Sequence, residues 1–525
     1  MKDKEIVKTD NKISFNSFIK YTEKNLLLII LTFILLFVTH GYLMFNNNIG
    51  IDTDNFLILP EGNHNWLQIG RYGLVIEKYL LNLESFNIFY AETLFMIFMT
   101  LFCVLTYYMI NVLSGKDFKF LNLLIPLIGL TNPTFAEQFV FLLQIAQISL
   151  TLFLTVLATL CVYKWIIDKK WVYGIINVAL LVLIFGTYQS FVVVYIALCL
   201  FAFILMCEND ELEFKNNKDY WIQILKILST FFISFVLYQI ILKSMNVDMT
   251  YLNQSNAWLR NPPIECVKNV YRNFRQMIKA EGHYYNFGLP IGLLYLIILG
   301  IINSIKTKKK INVFNKLVYF AVYCAFAITP LLLTIYLGNP PPLRTQFYLP
   351  IIEALALMIM GYSMMKIPKI NVLCSCVFFV IIMLVYSDQA SITSKLYYGD
   401  HQTRVNDMQI AYQLLYDMRK VGIREHESIY IYGHFDDRIN KSAMTGEMIG
   451  YSLFENGYGM QPYFWYSTES VLKLFKSLGY YYNMIPIEYG EDAYNQAKDM
   501  EDIWPKENAI KWVEPGYWII KIAEE

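Results

Sequence analysis

The chain has 525 residues, of which 56% are hydrophobic and only 16% are charged, and its mean hydropathy is +0.39. A soluble domain carries far more charge and could not cover this much apolar surface, so the composition excludes a soluble protein and indicates an integral membrane protein. The 43 basic and 43 acidic residues cancel, which gives no reason to expect nucleic acid as a partner. The eight cysteines do not have the spacing of a metal site.

Apolar runs long enough to cross a bilayer recur along most of the chain. A span needs roughly twenty apolar residues, and on that criterion the sequence predicts about eleven transmembrane helices. They cover residues 25–46, 88–112, 120–134, 141–163, 171–187, 190–207, 221–243, 286–304, 315–336, 346–364 and 370–387. No small-residue cleavage site follows the first run, so it is interpreted as a retained helix rather than a signal peptide.

The segments between the predicted helices alternate in charge. One set is short and rich in lysine, as in SGKDFK, KWIIDKK and IKTKKK, whereas the other set contains almost no lysine and includes two longer loops, 47–87 and 244–285. Enrichment of lysine and arginine in short loops marks the cytoplasmic side of a membrane. We therefore expect residues 1–24 inside, a transmembrane domain over 25–387, and the segment after it outside.

Residues 388–525 are less apolar and are predicted to form a separate extracytoplasmic α/β domain. Periodicity predicts helices over 407–422 and 468–479 and strands over 428–433 and 516–522. The stretch NGYGMQPYFWY, which contains Tyr463 and Trp465, either stacks on the sugar rings of an acceptor or docks the domain onto the membrane helices.

Unusual polar residues collect on the predicted outer face. Asp52 and Asp54 follow the first span in IGIDTDNFL, where a carboxylate can act as general base on a hydroxyl or bind a divalent cation. Trp66 and Arg71 follow in the same loop, in NHNWLQIGRYGL. An arginine there can bind a phosphate through two hydrogen bonds, but a salt bridge from Arg71 to either aspartate that only fixes the loop explains it equally well.

Two further outer turns carry candidate residues. Glu137 lies in TNPTFAEQFVF, where it either lines a polar cavity or is merely solvated. Tyr188 and Gln189 lie in GTYQSF between two short helices, where they either line a sugar pocket or serve a tight helical hairpin.

Three charged residues lie at or near the ends of later spans. Arg344 follows three consecutive prolines, which stiffen a short outer loop, and Lys243 ends an apolar run. Glu353 lies inside an apolar run, where a carboxylate is costly and faces a cavity or a partner. Arg344 or Lys243 is the expected partner, and an ion pair that only locks helices together is an equally good interpretation.

The pattern resembles the bacterial glucosyltransferase II (GtrII-like) family of glycosyltransferase C type membrane enzymes. The similar features are an acidic pair after the first span, a W-x-x-x-G-R-x-G-L stretch, Y-Q-S between short helices and an arginine before a late span. The resemblance covers most of the chain. It implies that Asp52 and Asp54 are the catalytic acids, that Arg71 belongs to the G-R pair, and that Tyr188 and Gln189 form the Y-Q turn.

Members of that family move a sugar, typically glucose, from a polyprenyl phosphate to an extracytoplasmic polysaccharide. The resemblance thus implies a multi-pass enzyme of the bacterial cytoplasmic membrane whose partners are a polyprenyl-phosphate sugar donor, a surface polysaccharide or teichoic-acid-like acceptor, and membrane lipid. The candidate substrate-binding residues are Trp66, Arg71, Glu137, Tyr188, Gln189, Lys243 and Arg344. The expected reaction is a displacement at the anomeric carbon with Asp52 or Asp54 as base; a divalent cation at this pair is compatible with it but not required.

Two alternatives remain at this level. The chain is either another glycosyltransferase C enzyme with a different sugar, or a transporter or flippase of lipid-linked saccharides. Transporters usually place charges near the bilayer midplane and contain two-fold repeats. Here the charges gather at one face and no repeat is visible, which favours an enzyme.

Overall fold

The computed structural model describes residues 13–46, 50, 53, 63–85, 87–116, 118–207, 217–247, 253–306, 313–365, 371–435, 444, 446–455, 465–514 and 516–524. Asp52, Asp54 and Tyr463 lie outside the described residues, and so does the side chain of Trp465.

Most of the described residues are helical. The α-helices are α1 Phe15–Lys24, α2 Leu26–Phe45, α3 Asn63–Gln68, α4 Tyr72–Leu80, α5 Ile88–Ser114, α6 Pro133–Phe139, α7 Ile145–Asp168, α8 Val172–Thr187, α9 Phe191–Cys207, α10 Asn217–Ser244, α11 Pro263–Lys279, α12 Gly288–Lys306, α13 Val313–Ile328, α14 Leu332–Leu337, α15 Tyr348–Met365, α16 Asn371–Lys420, α17 Trp465–Ser477 and α18 Gly490–Lys498. Short 3-10 helices occupy Lys119–Leu123, Leu142–Gln144, Ala257–Leu259, Gly282–Tyr284, Thr329–Leu331, Leu343–Thr345, Ile487–Tyr489 and Glu507–Ala509, and a π-helix occupies Ile125–Leu130.

Seven helices of the described chain are long and apolar enough to cross a membrane, which confirms the polytopic helical class. They are Leu26–Phe45, Ile88–Ser114, Leu142–Asp168, Trp221–Ser244, Gly288–Ile305, Lys316–Leu337 and Ser375–Lys420. Four shorter apolar helices lie where the other predicted spans were expected: Phe120–Leu130, Val172–Thr187, Phe191–Cys207 and Tyr348–Met364. At about 1.5 Å per residue, a helix of sixteen residues is about 24 Å long, less than the roughly 30 Å of a hydrocarbon core. The figure of eleven full spans therefore stays a prediction.

Burial separates the interior helices from those that face lipid. About three quarters of the most apolar stretch of Leu142–Asp168 is buried (72%), whereas only 17% of that of Trp221–Ser244 is. On α10, Leu225, Phe232 and Ile240 are exposed although they lie in an apolar helix. A helix that is apolar all round and still exposed is suited to hydrocarbon, so α10 presents a lipid-facing surface while α7 lies in the bundle interior.

Two sequence predictions differ from the structure. The predicted helix over 120–134 is replaced by a 3-10 helix and a π-helix, and Pro126, which cannot donate a backbone hydrogen bond, stands at the start of the latter. The span predicted over 370–387 and the helix predicted over 407–422 are parts of one continuous helix, α16. Hydropathy falls after residue 387, but no proline interrupts the segment between them, so the helix continues beyond the apolar run.

The chain divides into two compact units. The first comprises Met1–Gly41, Asn63–Gln138 and Gln144–Thr393, and the second comprises Tyr42–Gly62, Phe139–Leu143 and Ser394–Glu525. The second unit contains a four-stranded sheet in the order β2–β1–β4–β3, made of β1 Ser428–Tyr432, β2 Asn483–Met484, β3 Ile510–Val513 and β4 Tyr517–Lys521. β1 pairs in parallel with β2 and β4, and β3 pairs antiparallel with β4. The predicted strands over 428–433 and 516–522 are confirmed, whereas β2 and β3 were not predicted.

Both faces of this sheet are covered by apolar side chains. Ile429 and Ile431 of β1 pack in one cluster with Phe475 of α17, and the alternate residues Tyr430 and Tyr432 pack in another with α18. This alternation follows from the two-residue period of a strand. The central strands are therefore buried on both sides, which makes the second unit a small α/β domain.

The last turns of α16 hold a segment of the same unit through buried carboxylates. Asp407 accepts hydrogen bonds from the Ser452 hydroxyl (2.6 Å) and from the backbone N–H of Leu453 (2.9 Å), and Asp400 accepts one from the N–H of Gly450 (2.8 Å). Buried acids with backbone donors as partners fix local geometry. The part of α16 from Ser394 onward is thus an integral part of the second unit.

Close backbone contact sets the position of the short helix α4 on α8. A Cβ atom added to Gly73 would lie 2.6 Å from the carbonyl oxygen of Leu183, and one added to Gly186 would overlap the ring of Tyr72. The Tyr72 hydroxyl also donates a 2.7 Å hydrogen bond to the carbonyl of Val182. Glycine at these two positions permits the approach, because backbone atoms of α8 cannot move away from position 73 and the hydrogen-bonded ring of Tyr72 fills the space at position 186.

A buried glutamate fixes the other end of α4. Glu77 is fully buried, and its Oε1 accepts hydrogen bonds from Thr151 (2.8 Å) and Thr187 (3.3 Å). Burial raises the pKa of Glu77 to about 8, an effect that the two hydroxyl donors only partly offset. The carboxyl group is therefore largely protonated at neutral pH.

We expect this protonation to appear in the pH dependence of stability. Between the ordinary pKa of a glutamate, about 4.5, and about 8, the folded state holds a proton that the unfolded state has released, so the contribution of Glu77 to stability falls as the pH rises. Glu77→Gln removes this titration. The thermal midpoint of the purified protein, measured from pH 5 to 8.5, should therefore decrease less with pH in Glu77→Gln than in the parent.

The matched control is Glu84→Gln, which changes an exposed glutamate that follows the same helix. It should keep the parental pH profile. An unchanged profile in Glu77→Gln would contradict the assignment of a raised pKa to Glu77.

Candidate functional site

Arg71 and Tyr188, far apart in sequence, are in direct contact. Arg71 lies immediately before α4, where its backbone N–H donates a 2.8 Å hydrogen bond to the carbonyl of Trp66. Its guanidinium carbon lies 4.5 Å from the centroid of the Tyr188 ring, and Tyr188 is buried. This is a cation–π contact, and it leaves the in-plane N–H donors of the arginine available to an anionic ligand. Arg71 makes no salt bridge within the described residues, and the two aspartates with which the sequence suggested it could pair, Asp52 and Asp54, lie outside them.

Gln189 connects the same turn to α10. Its side-chain N–H donates a 3.2 Å hydrogen bond to the hydroxyl of Tyr238, whose ring centroid lies 6.2 Å from that of Tyr72. The sequence does not indicate a role for Tyr238, because this residue lies within an apolar run that also contains several phenylalanines. The Y-Q turn therefore contacts both the G-R segment and α10.

Trp66 lies beside the same segment. Its ring centroid is 5.9 Å from the Nζ atom of Lys78, a residue that is almost fully buried in α4. Gly70, in the turn between α3 and α4, is packed against Leu242, since a Cβ atom there would lie 2.7 Å from a methyl group of that leucine. Lys243 follows Leu242 and is exposed in the last turn of α10, so its backbone lies at the same end of the bundle as Arg71.

Phe347 connects this region to two further predicted segments. It is fully buried, and its ring centroid lies 6.1 Å from that of Tyr188 and 6.0 Å from that of Phe135 in α6. Arg344 lies three residues earlier in the 3-10 turn Leu343–Thr345 and is half-buried. The aromatic side chains thus form a continuous layer beneath the Y-Q turn, α6 and the loop that carries Arg344.

Glu137 is buried in α6, close to Tyr285 at the end of the predicted outer loop 244–285. The side chain of Glu137 is 1% exposed. Burial, and to a lesser extent the Glu137 carboxylate, raises the pKa of Tyr285 to about 12. The neighbouring Gln138 is fully buried, and neither atom of its amide group has a hydrogen-bond partner in the described structure. Buried amides without partners are rare, so this position calls for a water molecule or a ligand.

Glu353 is also buried, but it does not form the predicted ion pair. Its carboxyl group lies against Gly288, the first residue of α12, and beside Asn286, so closely that a Cβ atom on the glycine would overlap Oε1. Among the described residues neither Arg344 nor Lys243 forms a salt bridge with it, so that prediction is wrong. The first backbone N–H of α12, that of Gly288, donates to the side-chain oxygen of Asn286, and Oε1 of Glu353 has no hydrogen-bond partner in the described structure.

Loop 281–287 contains a neighbour of each of these two acids. Tyr285 lies beside Glu137, and Asn286 lies beside Glu353. Burial lowers the pKa of His283 in the same loop, and a hydrogen bond with Gln346 opposes that shift. The sequence signal for this loop is the run GHYYNFG, which combines polar and aromatic residues directly before a span.

The described residues contain no group of three or more histidine, cysteine, aspartate or glutamate side chains that could hold a metal ion. Asp52 and Asp54, the residues expected to suit a cation or to act as base, lie outside them. Chemically, the described arrangement offers a guanidinium for an anion, aromatic faces for a sugar ring, and buried carboxyl and amide groups for hydroxyls.

Comparison with known proteins identifies the family. Residues 41–361, more than half of the chain, match the family model described as Glucosyl transferase GtrII. This range includes Arg71, Glu137, Tyr188, Gln189 and Arg344. Neither a curated protein nor a solved structure matches the chain. The family match confirms the resemblance noted in the sequence, and the chain belongs to the GtrII glucosyl transferase family.

Proposed function

We propose that this enzyme moves a hexose, most simply glucose, from a polyprenyl-phosphate donor to a cell-surface polysaccharide or teichoic-acid-like acceptor outside the bacterial cytoplasmic membrane. The main support is the Arg71–Tyr188 contact, which places a cation on an aromatic face at the end of the bundle directly after the loop that contains Asp52 and Asp54. A lipid-linked donor has its phosphate at headgroup level, so a cation beside a span end suits it.

The chemical step is a displacement at the anomeric carbon. Asp52 or Asp54 takes the proton of an acceptor hydroxyl, the hydroxyl oxygen forms a bond to the anomeric carbon, and the bond from that carbon to the phosphate oxygen breaks. The phosphate leaves with the bonding electron pair, and Arg71, Arg344 or Lys243 stabilises its charge. General-base catalysis contributes roughly 10²–10⁴ in rate. The step requires no cofactor, although the two aspartates also suit a divalent cation.

The buried polar groups next to loop 281–287 suit the hydroxyls of a hexose. Gln138 and Glu353 have polar atoms without partners in the described structure, and Glu137 is buried beside Tyr285. Sugar hydroxyls both donate and accept hydrogen bonds, so they can satisfy the amide of Gln138 and the free oxygen of Glu353 at once. Trp66 and Tyr188 supply aromatic surfaces for the apolar faces of the ring.

The transporter or flippase alternative receives less support. Membership in a glucosyl transferase family indicates an enzyme. The candidate residues also gather at one end of the bundle, whereas transporter sites lie near the midplane.

The first test concerns orientation. The lysine-rich loops predict the N-terminus inside and the C-terminal domain outside. We expect alkaline phosphatase fused after Glu525 to be active and a fused cytoplasmic fluorescent protein to be dark. The reverse result would place the polar end of the bundle in the cytoplasm and would contradict transfer at the outer leaflet.

The second test addresses the acidic pair. Asp52→Asn and Asp54→Asn keep the side-chain size but remove the negative charge that a base needs. Each variant should accumulate normally in the membrane and lose most transfer from a polyprenyl-phosphate hexose. For the aspartate that acts as the base, the rate of transfer should fall by roughly 10²-fold or more. Product formation with radiolabelled donor in membrane vesicles measures this. Asp499→Asn, at an exposed position, is the control for the same chemical change.

A double Asn variant that transfers sugar at the parental rate would refute the mechanism. A variant that fails to accumulate would instead support the interpretation in which the pair only anchors its loop.

The third test separates the charge of Arg71 from its contact with Tyr188. Arg71→Ala should lower kcat/KM by roughly 10²–10³ if the guanidinium stabilises the leaving phosphate. Tyr188→Phe keeps the aromatic face and should change activity little, whereas Tyr188→Leu removes the cation–π contact, worth about 0.5–2 kcal/mol, and should cost roughly 2- to 30-fold. Equal losses in Tyr188→Phe and Tyr188→Leu would show that the hydroxyl, and not the ring, matters.

A further inference from the structure

Helix α11, in the segment between two candidate spans, has one face fixed to the rest of its unit. Cys266, Asn273 and Met277 are buried on this face. Asn273 donates a 2.7 Å hydrogen bond to the Thr334 hydroxyl and accepts one of 2.7 Å from Tyr284. These contacts set the rotation of α11 about its axis, so its other faces point in defined directions.

A second face of α11 is apolar and exposed. We call its members the apolar stripe; with their exposed fractions they are Ile264 (61%), Val267 (53%), Tyr271 (65%), Phe274 (41%) and Ile278 (48%). Their spacing of three and four residues places them in one line along the helix. Water is an unfavourable environment for five large apolar side chains in a row, so this face is suited to a nonpolar surrounding.

A row of cations runs parallel to the apolar stripe. The cation row consists of Lys268, Arg272, Arg275 and Lys279, all of them exposed. Each cation directly follows a member of the apolar stripe in sequence, so the row is rotated from the stripe by about 100°. Arg272 donates to the side-chain oxygen of Asn269, and Lys279 lies 3.4 Å from the carboxylate of Glu281 in an exposed pair that contributes little to stability.

The contacts of α11 place it at the level where a span ends. Just before the helix, the Trp258 ring N–H donates a 2.9 Å hydrogen bond to the carbonyl of Ile335, and within it Asn269 donates one of 3.4 Å to that of Gly338. Both acceptors lie at the end of the candidate span Lys316–Leu337. Ile335 and Tyr336 of that span are themselves exposed, so the apolar stripe continues a lipid-facing surface.

We propose that α11 lies in the membrane interface, with the apolar stripe inserted among the lipids and the cation row bound to the phosphates of anionic phospholipids. An apolar face bordered by cations is the pattern of helices that lie in the plane of a bilayer surface. Each lysine or arginine close to an anionic surface adds roughly a fivefold preference. The inference depends on the membrane location of the enzyme and not on the sugar transfer proposed above.

Cysteine accessibility tests the insertion with two matched positions one turn apart. Tyr271→Cys lies in the apolar stripe and Arg275→Cys in the cation row, and both positions are exposed in the structure. In vesicles that contain the full chain at low protein density, a charged maleimide should label Arg275→Cys at least tenfold faster than Tyr271→Cys, after subtraction of the parental rate. Equal rates would overturn the proposal. Protection of Tyr271→Cys only at high protein density would also overturn it, because a second copy would then cover the stripe.

Lipid composition tests the cation row. The full chain should retain phosphatidylglycerol over phosphatidylcholine from mixed vesicles, and replacing all four cations of the row by glutamine should lower that preference at least tenfold. The control replaces four exposed cations of the second unit by glutamine: Arg424, Lys498, Lys506 and Lys511. An equal preference in the two quadruple variants would overturn the assignment. Size-exclusion profiles show whether both quadruple variants fold. If the variant of the cation row does not fold, the single variant Arg275→Gln takes its place, and its preference for phosphatidylglycerol should fall roughly fivefold.

Discussion

The close approach of α4 to α8 is the constraint on which the candidate site depends. Gly73 meets backbone atoms of α8, and Tyr72 fills the space above Gly186, so neither position has room for a side chain. At the other end of α4, Glu77 is bonded to Thr187 and Thr151. A short helix held at both ends cannot tilt or rotate. Packing therefore places Arg71, which directly precedes α4, over Tyr188, and the stacked guanidinium makes no salt bridge among the described residues.

The buried acids of this protein fall into two kinds. Glu77 has a raised pKa and ties helices together through the two hydroxyl donors on its Oε1, while its Oε2 has no hydrogen-bond partner in the described structure. Glu137 and Glu353 are different, because they lie around a loop next to a buried amide whose two polar atoms have no partner in the described structure. Leaving such groups unsatisfied costs roughly 1–3 kcal/mol each. That cost is understandable if a polyhydroxylated ligand supplies the missing bonds.

Sequence reasoning located what hydropathy determines and missed what packing determines. Long apolar runs such as 88–112 and 221–243 are helices within a few residues of their predicted ends. The interruption predicted between residues 387 and 407 is absent from α16, since loss of hydropathy marks where a helix leaves hydrocarbon and not where it stops. Arg71 and the Y-Q turn were each selected, but their contact depends on a glycine packing that no local pattern encodes. The expected partners of Glu353 were wrong because the carboxyl group lies against Gly288 and beside Asn286, a proximity that composition does not reveal.

The interfacial face of α11 and the buried acids belong to one connected structure. The Tyr284 hydroxyl is bonded to Asn273 on the buried face of α11, and the next residue, Tyr285, lies beside Glu137. Asn286 and Gly288 then meet Glu353. Any displacement of α11 relative to its unit must therefore act on the loop that lies next to both acids. If α11 binds lipid headgroups through its cation row, as we propose, its buried face links that membrane contact to the polar groups that we propose receive the sugar.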